Sequence, residues 1–265
     1  MPQGVNRFMQ WWRFLHPSAL VFTLKTSSQA LIDKARQAPP RTVQATRFVA
    51  EHARSGDPLS VLQTLDRFAR EERWLMSVGP DKGPLIAELA ERVPPDARVL
   101  ELGSYCGYSA VMMASTLGPQ ANIISVDIDA TAIECARQNV EMAGLSSQVT
   151  FIQGPSSRIV STLTGHFDLV FLDHWKDLYK DDLQTIEERG LIGSGSIVVA
   201  DNVGEIFAPQ KFLEYVRNCG LYDCEHRRAT IEYTQVPDAV EIAVYRSAPV
   251  ESKSQAAPND TSPAA

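Results

Sequence analysis

The chain has 265 residues, 44% hydrophobic and 22% charged, which is ordinary for a globular protein and enough for one large α/β domain with appendages. A formal net charge of −7 argues against a nucleic-acid partner, and no stretch approaches the roughly 20 apolar residues of a membrane-spanning helix. Cys106, Cys135, Cys219 and Cys224 show neither C-x-x-C pairing nor zinc-like spacing, so they read as reduced thiols in a cytoplasmic compartment.

Residues 1–40 stand apart from the rest. Arg7, Arg13 and Lys25 meet no acidic residue before Asp33, and Phe8, Trp11, Trp12, Phe14 and Leu15 crowd together. A secretory layout is missing, because Arg13, His16 and Pro17 break the aromatic cluster. The preferred reading is a helical arm packed on its own domain or on a second subunit. Peripheral membrane contact and an organelle presequence stay open.

Apolar residues at helical spacing then predict two covering helices, Thr42–Ala53 and Leu59–Arg73, split by Ser55-Gly56-Asp57-Pro58. Trp74–Gly83 reads as an unusually apolar loop, followed by a helix over Pro84–Arg92. Regular alternation follows: strand Arg98–Leu102, helix Tyr108–Leu117, strand Asn122–Val126, helix Ala130–Ala143, strand Val149–Gln153, helix Ser156–Leu163. Strands Phe167–Leu172 and Ser196–Ala200 flank a helix near Asp181–Arg189, and Pro209–Asn218 is helical. Tyr222–Glu232 and Val240–Tyr245 form an antiparallel finish. The pattern predicts an α/β fold with a mostly parallel sheet, an antiparallel last strand and helices on both faces, over residues 41–247. Residues 248–265, with three prolines and no aromatics, read as a disordered tail.

Two stretches carry chemistry. Glu101-Leu-Gly-Ser-Tyr-Cys-Gly-Tyr-Ser109 places Gly103 and Gly107 where a strand turns into a helix, whose first N–H groups are free for a ligand. The middle glycine of a dinucleotide fingerprint and the lysine of a phosphate loop are both missing, which disfavours a nicotinamide oxidoreductase. Asp127 ends the next strand, suited to ribose hydroxyls, and Glu101 is placed to hold a ligand ammonium. An adenosyl amino acid, S-adenosylmethionine, fits this set. The second stretch is Asp173-His-Trp-Lys-Asp177 at one strand end, paired with Asp201-Asn202 at another. Two carboxylates and an amide oxygen there make a cradle for a hard divalent cation, with Lys176 one short loop away.

Four blocks, Glu101–Ser109, Asp173-His-Trp-Lys176, Ala200-Asp-Asn-Val203 and Ile231-Glu-Tyr233, closely resemble the catechol O-methyltransferase family, within a likeness running from about Arg47 to Tyr245. The resemblance implies the class I methyltransferase fold, S-adenosylmethionine as donor, magnesium as metal and a small catechol as substrate. It carries over Asp173, Asp201 and Asn202 as metal ligands, and Lys176 as general base. Glu232 corresponds to the acid that binds the second catechol hydroxyl. Trp74, Met76 and Trp175 correspond to walls of the substrate and sulfonium sites, where Asn202 also contacts substrate. Cofactor contacts fall on Val78, Glu101, Gly103, Tyr105, Ser109, Asp127, Ser156, His174 and Trp175. Three departures stand out: Asp127 where the family often has Glu, Ser157 in place of a longer amide, and Ile206 where the mammalian enzymes have a gatekeeper proline. The last puts substrate preference in question and leaves metal ligands and lysine untouched.

Such residues suit the chemistry. A catechol hydroxyl becomes a good nucleophile on losing its proton, and hard oxygens hold a cation that favours this loss. Neutral Asn202 avoids a third negative charge opposing the catecholate, and Lys176 takes the proton where the cation and partial burial favour its neutral form. The alternatives are methylation of a larger ortho-dihydroxy natural product and a catalytically silent donor-binding module. For each residue alone a plain role competes: Asp173 or Asp201 as a helix cap, Lys176 and Asp177 as a solvated pair, the tryptophans as core.

Overall fold

A computed structural model describes residues 37–246. The N-terminal arm up to residue 36 and the whole C-terminal tail, 248–265, lie outside the described residues. Among the described residues no helix is long and apolar enough to cross a membrane.

Three helices come first: α1 (Arg41–His52), α2 (Pro58–Glu71) and α3 (Gly79–Glu91). The alternating body follows as β1 (Arg98–Leu102), α4 (Tyr108–Thr116), β2 (Asn122–Asp127), α5 (Ala130–Met142), β3 (Val149–Gln153), α6 (Ser156–Val160) and β4 (Leu169–Leu172). A single 3-10 turn, Lys176–Leu178, leads into α7 (Tyr179–Glu188), then β5 (Ile197–Ala200), α8 (Gln210–Asn218), β6 (Tyr222–Thr230) and β7 (Pro237–Tyr245). The seven strands run in the order β3-β2-β1-β4-β5-β7-β6, parallel from β3 to β5, with β7 antiparallel to both its neighbours. The sheet class expected from the sequence is therefore the one observed.

Strand pleating divides the core. Val99, Leu169, Phe171, Ile197, Val199, Val240 and Ile242 face the layer containing α1 to α5. Leu100, Leu102, Val170, Leu172, Val198, Ala200 and Ala243 face α6, α7 and α8. Side chains alternate across a strand, so one apolar residue in two goes to each face, and the central strands read as unbroken apolar runs. Burying a residue such as Phe171 contributes about 1.5–3 kcal/mol. By the same parity, Glu101 at the end of β1 is directed to the α4 side, where its partners are found.

The strand order reverses between β1 and β4, the place where a doubly wound sheet opens a crevice beyond its strand ends. Gly103 shows how tightly the chain closes there. Its φ is +109°, and a Cβ would lie 2.4 Å from the carbonyl oxygen of Asp173.

Several boundaries differ from the sequence reading. The segment Gly79–Gly83 is the first turn of α3 rather than loop, with Pro80 in the tolerated first positions and Pro84 inside the helix. Pro84 suits a first helical position and so sets the expected start five residues late, while Gly79, Lys82 and Gly83 are buried in the turn that precedes it. Helix α6 stops at Val160, three residues short, and β4 begins at Leu169. Strand β6 ends at Thr230, which puts Glu232 in the β6–β7 connection, and β7 starts at Pro237. All four cysteines are free thiols.

Candidate active site

Adjacent strand ends supply the first two carboxylates. Leu172 pairs with Ala200 in the β4–β5 register, and the Asp201 amide donates to the Leu172 carbonyl at 3.0 Å. The next residues of the two strands, Asp173 and Asp201, are thus set side by side. Asn202 adopts a left-handed backbone with φ 53°, which turns the chain sharply at the strand end. Its amide nitrogen donates to Glu232 Oε1 at 3.2 Å and to Asp238 Oδ2 at 2.9 Å. With both amide protons committed there, the Asn202 carbonyl oxygen is left to accept from, or ligate, something else.

Beneath these groups lies a lysine that the sequence reading left inside a loop. Lys82, buried in the first turn of α3, places Nζ 2.7 and 2.8 Å from the two Asp201 oxygens, 2.5 Å from Glu232 Oε1 and 3.1 Å from Asp238 Oδ2. Asp238, also unforeseen, accepts from the Gly204 amide at 3.0 Å through its other oxygen. Its position at the start of the antiparallel strand β7 is what brings it beside Asn202. One signal for Lys82 was available: with Ile86 and Leu89 it occupies positions i, i+4 and i+7, the stripe that α3 buries.

Lys176 stands on the outer side. Its Nζ is 3.3 Å from Asp173 Oδ1 and donates to the Tyr179 hydroxyl at 2.9 Å, and that hydroxyl donates to the Asp201 carbonyl at 3.2 Å. Tyr179, fully buried at the start of α7, therefore ties the lysine to the β5 end. His174 turns the other way, pairing Nε2 with Asp182 at 2.8 Å.

Charge is unbalanced in this corner. Among the described residues, Asp173, Asp201, Glu232 and Asp238 form ion pairs only with Lys82 and Lys176, so the carboxyl groups outnumber the cations four to two. Burial pushes the Asp173 carboxyl up to about 6, against the pull of Lys176 and with help from the Asp201 charge. Burial likewise pushes Glu232 up to about 7, with Lys82 opposing. For Lys82 burial works against the ammonium, but Asp201, Glu232 and Asp238 outweigh it and hold its pKa above the usual lysine range. Asp201, Glu232 and Asp238 bring ligand-type oxygens within 4.8 Å of one another. Asp173 is not one of that trio, and the ammonium of Lys82 already contacts all three of its members. A dication matched to the surplus carboxyl groups has the outer side available, where Asp173, Asp201 and the free Asn202 oxygen offer hard donors.

The glycine turn forms the neighbouring wall. The Asp127 carboxylate accepts from the Ser104 amide at 3.1 Å and the Tyr105 amide at 3.0 Å, and its second oxygen from Asp129 at 2.9 Å. It braces the turn as well as facing the crevice. Tyr105 has φ 44° and sets its hydroxyl against the Met76 backbone, joining the turn to the Trp74–Val78 segment. Glu101 is fully buried, its carboxylate taken by the hydroxyls of Ser109 and Ser125. Burial lifts it to about 7 although both hydroxyls favour the charged form. Each Glu101 oxygen accepts from one serine hydroxyl and keeps a second lone-pair direction, so the carboxylate braces the turn and retains acceptor capacity for a ligand ammonium. Val78 is buried and caps α3.

Buried polar atoms without a protein partner near these residues are Ser156 Oγ, His174 Nδ1 and, on the carboxylate that meets His174, Asp182 Oδ1. An unpaired buried polar group costs about 1–3 kcal/mol, so these atoms fit a bound ligand with polar edges. The apolar side is built from Trp74, whose indole donates to the Glu232 carbonyl at 2.9 Å, and from Ile206 packed with it on Ile231 and Val236. Met76 and Trp175 are 58% and 72% exposed, large apolar side chains left at the rim. Of the site residues read from the sequence, Asp173, Lys176, Asp201, Asn202 and Glu232 are joined in one network of ion pairs and hydrogen bonds with Lys82, Tyr179 and Asp238.

Comparison with known proteins gives a consistent result. A family model described as O-methyltransferase matches residues 52–211. Mouse catechol O-methyltransferase is 40% identical over 214 residues, covering 78% of this chain and 80% of that protein. Human transmembrane O-methyltransferase is 32% identical over 246 residues, covering 90% and 81%. Among solved structures, the Streptomyces achromogenes O-methyltransferase TomG in complex with SAM superposes with a TM-score of 0.61 at 23% identity, over 70% of this chain and 89% of that one. The Bacillus cereus O-methyltransferase in complex with SAH gives 0.59 at 19% identity, over 71% and 90%. At these identities the superpositions establish the fold.

Proposed function

Because the chain belongs to the O-methyltransferase family and is related to the catechol O-methyltransferases, we propose that it transfers a methyl group from S-adenosylmethionine to one hydroxyl of a vicinal diphenol, with a divalent cation such as magnesium. The observation that carries this reading is the corner where Asp173, Asp201 and an amide-oriented Asn202 meet under Lys176, with four carboxyl groups facing two lysines.

Asp173, Asp201 and the Asn202 oxygen are the residues that would hold the cation. When bound it supplies polarisation of two neighbouring phenolic oxygens, favouring loss of one proton. Lys176 is the residue beside that position with a nitrogen able to receive the proton, and Tyr179 and Asp173 keep its Nζ in place. Glu232, held by Lys82 and Asn202, binds the hydroxyl that stays unmethylated and so fixes which oxygen faces the donor. Trp74 and Ile206 offer a flat apolar wall for the ring. Val78, Glu101, Gly103, Tyr105, Ser109, Asp127, Ser156, His174 and Trp175 line the donor's side, with Ser156 Oγ and His174 Nδ1 as buried polar atoms that have no protein partner. Displacement at a sulfonium methyl needs no covalent help from the protein, so alignment by these walls supplies much of the rate.

A second reading, a larger ortho-dihydroxy acceptor, is favoured by one observation. Met76 and Trp175 stand exposed at the rim and Ile206 forms part of the wall, so the mouth does not close tightly over a small ring. Incubating the protein with donor, magnesium and a panel from catechol to caffeoyl esters separates the two. Fastest turnover of simple catechols supports the first reading and fastest turnover of the esters the second. Donor binding with no product from any diphenol overturns both.

A further inference from the structure

The buried lysine is the least expected feature of the site. Lys82 has three ammonium protons and meets three carboxylates, Asp201, Glu232 and Asp238, at 2.5–3.1 Å. Those acids, just past the end of β5, in the β6–β7 connection and on β7, come close enough together to hold a cation on their own. Lys82 is buried to 1% exposure and reaches them from α3, so the trio is filled by a charge covalently tied to the chain.

The consequences reach the outer residues directly. Asp201 is gripped through both oxygens, and its Oδ1 also accepts from the Asn202 amide at 2.7 Å. Oδ1 thus has both lone pairs engaged, while Oδ2 meets only the lysine and keeps a second lone-pair direction, so Asp201 retains acceptor capacity through Oδ2. Asp238, held by Lys82, is the group that accepts from the Asn202 side-chain amide at 2.9 Å and so turns the Asn202 oxygen outward. Glu232 is held at its Oε1 by the same ammonium.

We infer that Lys82 is a positioning residue: a built-in cation that fills the Asp201–Glu232–Asp238 trio, keeps a divalent ion out of it, and so directs that ion to the Asp173–Asp201–Asn202 side. The inference rests on the metal reading proposed above. Without the lysine the trio would have no cation of its own, and a free dication would settle among its three carboxyl groups, away from Asp173 and Lys176.

Manganese titration of the full-length protein, followed by electron paramagnetic resonance without donor or acceptor, tests this. In the native chain D173N is expected to weaken Mn2+ binding at least tenfold. In a K82M background the same substitution is expected to cost less than threefold, because the ion no longer uses Asp173. An equal loss in both backgrounds overturns the inference. Since K82M disturbs a buried network and can fail to fold, anomalous diffraction at the manganese edge on native crystals provides the second arm. The expected ion contacts Asp173 and Asp201 while Lys82 stays on Asp238. An ion among Asp201, Glu232 and Asp238 with the lysine expelled overturns the inference but leaves a metal enzyme. No ion near Asp201 overturns the metal reading, and this one with it.

Discussion

Glu101 offers a quantitative test of how the glycine turn is built. Its carboxylate is fully buried and held only by the hydroxyls of Ser109 and Ser125. Burial raises its pKa from the ordinary 4.5 to about 7. Below about pH 4.5 the group is protonated in both folded and unfolded chains, and ionisation costs nothing. Between 4.5 and 7 the unfolded chain ionises while the folded chain keeps its proton, so stability falls as pH rises. Above 7 the folded state bears the whole cost. The E101Q variant has no such titration, and any fixed penalty for seating an amide between two serines is independent of pH. The stability of E101Q minus that of the native chain is therefore expected to increase by about 2–3 kcal/mol from pH 5 to pH 8. Urea unfolding at the two pH values, read by tryptophan fluorescence, measures this difference. A gap that is flat, or that narrows toward pH 8, refutes the account of Glu101 as a carboxylate held in an apolar wall.

Three further outcomes follow from the geometry. K176A is expected to lower kcat by about 10²–10⁴-fold while leaving the donor Kd from calorimetry within about threefold, since the lysine meets Asp173 and Tyr179 rather than the glycine turn; equal turnover removes Lys176 from its role. G103A places a Cβ 2.4 Å from the Asp173 carbonyl oxygen at a φ of +109°, so it is expected to destabilise the fold by more than about 2 kcal/mol and to weaken donor binding. An unchanged Tm and donor Kd would contradict that. Y179F removes the buried hydroxyl between Lys176 and the Asp201 carbonyl, with an expected loss of about 1 kcal/mol of stability and a fall in kcat. An unaltered kcat would show that this bridge does not set the lysine.

Much of this arrangement was legible in the sequence, for identifiable reasons. Strands β4 and β5 end at Leu172 and Ala200, where the apolar runs put them, because buried parallel strands leave an unbroken apolar signature. Asp173 and Asp201 were recognisable because each follows such a run directly. Lys82 was not. Its partners Asp201 and Asp238 lie 119 and 156 residues away, so no local pattern announces them. Pro80 and Pro84 also disguised the helix that carries it. Asp238 was hidden in the same way, since its meaning depends on β7 entering antiparallel beside β5. Glu101 was located correctly at the end of β1, but the serines that donate to its oxygens became visible only in three dimensions, one of them, Ser125, lying 24 residues away on β2.

The central claim is that vicinal phenolic oxygens are recognised at a metal-assisted site beneath Lys176. A product-resolved methylation assay compares ortho-, meta- and para-diphenols, each with donor and magnesium and again with an excess of chelator. Monomethylated product from the ortho isomer, with little from the other two and none under chelation, is the predicted result. Equal turnover of all three isomers, or full activity in chelator, would contradict it.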